Sequence, residues 1–276
     1  MLEQAAYNPG QLHFWRVLPH ESAAVLSDEQ KGAKMKNHIP QNNVNWNYEG
    51  LLKSFIGQLR EAEQDNIISI FLTGSFARGE AAAGSDLDLW CIFKSLNTDI
   101  LNTIGKITRS LFVSYSHLEV NAQCLTLEEF NSGYFAKFLA YPIIYLEAVL
   151  LYGDDIVARA LRDSEIEKAY KEFMAEVLLS IRHYIAVNEP AEKLTFQKIK
   201  TWVLKPLMFA LRLERYLHTR QYPLTSKNLL QAYKIPPMSV LYFTNEEKWE
   251  ADIYADRDSV LYALHDEVSN ILTKGL

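Results

Sequence analysis

The chain has 276 residues, 49% of them hydrophobic and 22% charged, with a formal net charge of −6. This is an ordinary soluble composition, long enough for a sizeable core and two domains. An acidic total argues against a broad nucleic-acid surface but leaves room for a small phosphate pocket. The N-terminus has no basic start followed by an apolar core, so no signal peptide is expected. No run of about 18 uninterrupted apolar residues occurs, and Pro142 and Glu147 break the nearest candidate, so no membrane span is expected and the cytoplasm is the default location.

Residues 1–45 are polar and weakly periodic, with Pro9, Pro19, Pro40 and an Asn-rich end, and read as an irregular arm. The spacing of Tyr48, Leu51, Leu52, Phe55, Ile56 and Leu59 predicts a helix. An apolar run, Ile67 to Leu72, predicts a strand that breaks at Thr73-Gly74-Ser75. A short segment with Arg78 and Glu80 follows, and a second apolar strand opens with Ser85-Asp86-Leu87-Asp88. Residues 96–111 return to helical spacing. His117 to Cys124 alternates strictly, with Glu119, Asn121 and Gln123 on one face, which predicts a half-buried strand.

Thr126 to Glu129 spells a capping box that opens another helix. Tyr145 to Tyr152 reads as one strand or buried helix ended by Gly153, and Asp154-Asp155 reads as a helix N-cap. Beyond about residue 158 the pattern is helical only. One stripe carries Phe173, Val177, Leu178, Ile181, Tyr184 and Ile185. After a break at Asn188-Glu189-Pro190, a longer stripe carries Phe196, Ile199, Trp202, Val203, Leu207, Ala210, Leu213 and Leu217, with a kink expected at Pro206. Tyr222 to Ser226 starts the next element, Pro236-Pro237 is a turn, and Asp258-Ser259 is the expected cap of a final helix. The two cysteines, Cys91 and Cys124, sit at apolar strand positions and read as buried thiols, with a disulfide left open should the strands be neighbours.

The chemistry concentrates in Ile67 to Phe93. Strand side chains two apart share a face, so Asp86 and Asp88 project together. Two close carboxylates repel unless a cation or proton lies between them. Magnesium takes oxygen ligands and is held by one or two carboxylates plus substrate phosphates, and an ion pair can clamp both oxygens of an in-line displacement. Gly74 lets backbone approach a phosphate, amide groups at the following helix start favour anions, the Ser75 hydroxyl can add a hydrogen bond, and Arg78 can neutralise a triphosphate. The plainer readings are a simple glycine turn, a local cap at Ser85 or Asp86, and a surface pair between Arg78 and Glu80.

Gly74-Ser75-Phe76-Ala77-Arg78-Gly79-Glu80 with Ser85-Asp86-Leu87-Asp88-Leu89 resembles the signature of the DNA polymerase β-like nucleotidyltransferase superfamily, closest to its bacterial minimal and antibiotic-modifying branches. The resemblance implies an α/β (α+β) fold: a small mixed-sheet catalytic domain over 46–157, after the arm of 1–45, and a C-terminal helical bundle over 158–276. It implies a two-ion magnesium site on Asp86, Asp88 and a third carboxylate, matched in position and face by Glu119, which would also accept the acceptor's proton. Gly74, Ser75, Arg78 and Ser85 would hold the nucleotide. The implied reaction moves AMP from ATP onto a hydroxyl of a small molecule, an aminoglycoside-type antibiotic by likeness of the helical half, and releases pyrophosphate. No membrane or nucleic-acid partner is expected, and nothing in the sequence sets the oligomeric state. The alternatives are a silent nucleotide- or partner-binding module and a protein-AMPylating enzyme.

Residues 191–220 hold seven basic side chains against two acidic ones. Lys198 or Lys205 could reach the triphosphate, while the plainer reading is a solvated helix face. Arg212 and His218 have the spacing of the Arg and His in HEPN ribonucleases, although a leucine follows the arginine, and a surface histidine is the plainer reading.

Overall fold

Strand β1, Ile67–Leu72, is buried along nearly its whole length because both of its edges and both of its faces are covered. In a computed structural model of the chain, residues 40–42, 47–82, 84–115, 118–132, 142–158, 161–187 and 196–274 are described. The expected arm lies outside these residues except for 40–42, and so does the break expected at 188–190.

Helix α1, Tyr48–Glu63, starts where the Asn47 side chain accepts the Gly50 N–H at 2.9 Å. After β1 come the short helix α2, Gly74–Arg78, and strand β2, Leu87–Phe93. Helix α3, Thr98–Ser114, is capped by Asn97, and strand β3, Val120–Thr126, follows it. The sheet order is β3-β2-β1-β4, where β4 is Val149–Gly153. β1 runs antiparallel to β2 and β4, whereas β2 and β3 are parallel. A parallel pair needs a crossover, and α3 supplies it.

The period of two in β2 sends Leu87, Leu89 and Cys91 into a core shared with Leu51, Phe55 and Leu59 of α1 and with Ile100, Ile104 and Leu111 of α3. Phe71, Ile92, Leu125 and Phe130 form a smaller core on the other face. Cys91 and Cys124 stand level across the β2–β3 ladder, and both are free thiols.

The capping box forms as expected at the head of helix α4, Leu127–Asn131, with Glu129 accepting the Thr126 N–H at 2.8 Å and Thr126 accepting the Glu129 N–H at 3.1 Å. The single element expected over 145–152 is instead two. Helix α5, Ile143–Glu147, ends where Ala148 turns extended, and β4 then pairs with β1. Gly153 has φ 83°, and a Cβ there would strike the Ile68 carbonyl, so this turn requires glycine. No helix starts at Asp154-Asp155. The Asp155 carboxylate takes the N–H groups of Val157 and Ala158 in a turn, and helix α6 begins only at Asp163.

Helix α6, Asp163–Val187, buries Val177, Ile181 and Tyr184 of the expected stripe against helix α8, Lys205–Thr219. Helix α7, Phe196–Ile199, runs into α8 through a wide π turn, Lys200–Leu204. Pro206 has no N–H to give the Trp202 carbonyl, which favours a ladder that shifts register just before it. The wide turn buries Val203 and Leu204 and leaves Trp202 44% exposed, so Trp202 is not part of the buried stripe. Helix α9, Ser226–Gln231, opens on Thr225, and α10, Met238–Thr244, follows Pro237. The last helix, α11, Glu246–Lys274, is kinked at Asp256, where φ is −157° and ψ 83°. Asp256 caps the second segment, accepting the Ser259 N–H at 3.1 Å, so the cap falls two residues before the expected Asp258. Among the described residues, no helix is long and apolar enough to cross a membrane.

Candidate active site

The turn after β1 and the start of β2 are tied together at the backbone. The Thr73 N–H donates to the Asp88 carbonyl at 2.9 Å, and the Thr73 hydroxyl donates to the same oxygen at 3.3 Å. Gly74 has φ 69°, and a Cβ on it would run into the Asp88 carboxylate. Glycine is therefore required here twice, for the left-handed backbone and for the space above it. Ser75 is half-buried on α2, and among the described residues its hydroxyl makes no hydrogen bond.

β2 begins one residue after Asp86, so Asp86 is exposed at the strand's mouth and Asp88 half-buried within it. The two carboxylates interact. Burial raises the Asp88 pKa, and the Asp86 charge raises it further. Three groups oppose that rise: a hydrogen bond from Asn121 Nδ2 at 2.9 Å, the Lys205 ammonium, and the Arg78 guanidinium. A cation placed on this pair would relieve the same repulsion.

Glu119 lies one residue before β3, and its carbonyl accepts the Leu87 N–H at 2.8 Å. The ladder pairs Leu87 with Val120 and Asp88 with Asn121, which brings residue 119 level with Asp86. Leu118 is buried and Val120 packs into the α1–α3 core, while Glu119 between them is exposed. Among the described residues, no three His, Cys, Asp or Glu side chains close into one metal-binding group. The structure thus brings together Asp86, Asp88, Asn121 and the Gly74 turn, and sets Glu119 beside them in register.

Ser85 takes the local role. Its hydroxyl accepts the Ala82 N–H at 3.0 Å and its own N–H donates to the Ala82 carbonyl at 3.0 Å, closing the turn before β2. Arg78 donates Nε to Glu80 at 2.9 Å and Nη1 to Glu147 at 2.9 Å, and its charge reaches Asp88 as a field. Burial lowers the Arg78 pKa, and the charges of Glu147 and Glu80 more than restore it. Its pairing with Glu80 is half-buried and shared with a second carboxylate, unlike the surface pair that spacing alone suggests.

Arg212 and His218 do not converge, since Arg212 is buried and His218 exposed. Arg212 instead reaches Glu80 at 3.3 Å and Glu147 at 3.6 Å. Sequence reasoning missed Glu147 and Arg212 as site-supporting residues. For Glu147 the signal was there, since it is a lone charge inside an apolar stretch and a buried charge is found paired; Arg212, with Glu214 and Arg215 close behind it, carries no such signal. The alternation of β3 puts Asn121 on the face of Glu119 but does not show its hydrogen bond to Asp88.

The profile of the nucleotidyltransferase domain family matches residues 52–200, just over half of the chain. No curated protein sequence is significantly similar. Among solved structures, spectinomycin adenyltransferase AAD(9) from Enterococcus faecialis, with ATP and spectinomycin, aligns at 12% identity over 81% of this chain and 100% of its own, with a TM-score of 0.48. A toxin–antitoxin structure with AMP-PNP aligns at 16% identity over 47% of this chain and 94% of its own, with a TM-score of 0.30. A variant of the toxin–antitoxin pair MntA–HpeT aligns at 16% identity over 50% of this chain and 98% of its own, with a TM-score of 0.30. With a family profile covering more than half its length, the chain belongs to the nucleotidyltransferase domain family and is a nucleotidyltransferase.

Proposed function

We propose that the enzyme transfers AMP from ATP to a hydroxyl of a small molecule, with magnesium bound at Asp86 and Asp88, in a catalytic unit of residues 46–157 partnered by the helices of 158–276. The observation that carries this is the Asp86–Asp88 pair, with the Asp88 carboxylate standing directly over Gly74. Two carboxylates and no third fixed ligand suit magnesium, which completes its shell from substrate phosphates and water. Bound there, magnesium would supply charge neutralisation at the reacting phosphate.

The chain's own residues do the rest. Ser75 offers a hydroxyl to a phosphate oxygen, and Gly74 lets the backbone lie close to it. Lys205, exposed at the start of α8, lies near enough to Asp88 for its charge to oppose the rise in the Asp88 pKa, which supports Lys205 rather than Lys198 as the cation for the β- and γ-phosphates. The acceptor oxygen attacks the α-phosphorus, the bond to the bridging oxygen of the leaving pyrophosphate breaks, and Glu119 takes the hydroxyl proton. Register with Asp86 and exposure to solvent support Glu119 in that role. Asn121 fixes the Asp88 carboxylate through one oxygen and leaves the other available.

The test is transfer of label from α-labelled ATP, with magnesium, to a panel of aminoglycosides, other hydroxylated small molecules, proteins and RNA ends. Labelled small-molecule product that disappears in Asp88→Asn supports the proposal. Label on protein alone would replace the acceptor class, and full activity in a folded Asp88→Asn protein would overturn the site.

A further inference from the structure

Six residues from both halves of the chain meet behind α2. Arg78 and Glu80 come from α2 and the turn after it, Glu147 from the end of α5, Arg212 from α8, Tyr222 from the segment leading into α9, and Ser226 from the first turn of α9. Each carboxylate spans both arginines. Glu80 takes Arg78 Nε at 2.9 Å and Arg212 Nη2 at 3.3 Å, while Glu147 takes Arg78 Nη1 at 2.9 Å and Arg212 Nη1 at 3.6 Å. The result is a closed ring of alternating charge, two positive and two negative. Tyr222 donates its hydroxyl to Glu147 at 2.5 Å, and the Ser226 N–H donates to Glu80. The Arg212 and Glu147 side chains are 2% and 3% exposed.

Stability alone does not explain this ring. Buried ion pairs cost desolvation, and a well-packed apolar replacement often serves a core as well or better. Arg212 Nε is moreover buried without a hydrogen-bond partner among the described residues. What the ring has that hydrocarbon lacks is a fixed geometry: planar guanidinium forks, each between two carboxylates, allow little sliding. Both ends of that geometry lead to the site. Arg78 closes the same five-residue helix that starts at Gly74-Ser75. Arg212 lies seven residues beyond Lys205 on α8, about 20° short of two full turns and about 10 Å along the axis, so both project from one face.

We propose that the ring is a positioning device: by pinning α8 to the Gly74–Arg78 turn through Arg212, it sets where Lys205 stands relative to Asp88, and so sets the affinity for the triphosphate. This rests on the nucleotide-transfer reading above. Glu80, Glu147 and Arg212 are positioning residues that act through Lys205.

A double-mutant cycle on binding tests it, with magnesium and a non-hydrolysable ATP analogue titrated by calorimetry into wild type, Glu80→Gln, Lys205→Met and the double variant. Each single variant is expected to weaken binding about tenfold, the scale of one charge-assisted contact, and the double variant to be no weaker than Lys205→Met alone. Arg212→Lys, which keeps the charge and loses the fork, is expected to match Glu80→Gln and serves should Glu80→Gln not fold. Losses that multiply in the double variant, or wild-type binding in both folded ring variants, overturn the positioning role and leave the nucleotide reading standing. A wild-type protein that binds no nucleotide overturns both.

Discussion

Gly74 and Asp88 occupy one another's space: the carboxylate of Asp88 fills the position that a Cβ at residue 74 would take. The turn that would face the phosphate and the acid that would face the metal are thus a single steric unit. Gly74→Ala must push Asp88 aside and adopt φ 69° with a side chain, a strain of about 1–3 kcal/mol. Transfer activity is expected to fall at least about 100-fold, since a misplacement of about 1 Å at a reacting centre has that scale. Label transfer together with a urea unfolding curve checks both effects.

Asp88→Asn is expected to remove activity without destabilising the fold. Burial and the Asp86 charge raise the Asp88 pKa, so the folded protein holds this proton more tightly than the unfolded chain does. Ionising Asp88 therefore costs stability, beginning as pH rises through the unfolded value of 3.8 and complete above the raised folded value. Asparagine removes that cost and can still accept from Asn121. The thermal midpoint at pH 7 is expected to stay level or rise by about 1–3 °C, and a midpoint clearly below wild type would contradict it.

Glu80 behaves in the opposite sense. Burial raises its pKa, but the Arg212 charge, the Ser226 N–H and the Arg78 charge together bring it below 4.5. Its stabilisation is present above 4.5 and is lost as pH falls through the lower folded value. Comparing the pH dependence of urea midpoints in wild type and Glu80→Gln should show the wild-type advantage shrinking below about pH 4.5.

Removing one member of the ring leaves a buried charge half-compensated. Arg212→Met is expected to destabilise the fold by about 3–5 kcal/mol, the cost typical of breaking a buried pair. Replacing a solvated residue such as Lys168 on α6, paired with Glu172 at 3.9 Å, should change stability by less than about 1 kcal/mol. Equilibrium unfolding of the two variants gives the contrast.

Asp256→Ala tests the kink in α11. The Asp256 side chain accepts from both the N–H and the hydroxyl of Ser259, so its loss is expected to cost about 1 kcal/mol. Asp258→Ala, at the position that spacing alone nominates, is expected to cost much less.

Three of the four strands were legible because their signals are local, whereas β4 was merged with α5. β1 came out residue for residue, the capping box at Thr126 formed, and the alternation of residues 117–124 gave β3 to within three residues. The Gly-Ser turn and the neighbouring acid pair were legible because both fall in one short window, on a turn and the strand that follows it. The ring was not legible. Residues 80, 147 and 212 are joined only by the tertiary fold, and an isolated charge in an apolar stretch does not name its partner. The register that sets Glu119 level with Asp86 depends likewise on the β2–β3 pairing, which alternation can suggest but not align. Asp154 and Asp155 misled because an acidic pair after a strand suits a turn as well as a helix start.

The π turn at Lys200–Leu204 has a consequence for insertions and deletions. Its i to i+5 closure fits in extra chain before Pro206 and so fixes the angular phase at which α8 begins. Deleting one residue there would rotate α8 by about 100°, swinging Lys205 and Arg212 away together. Frame length in this segment, more than the identity of its side chains, would then decide whether the two halves of the enzyme mesh.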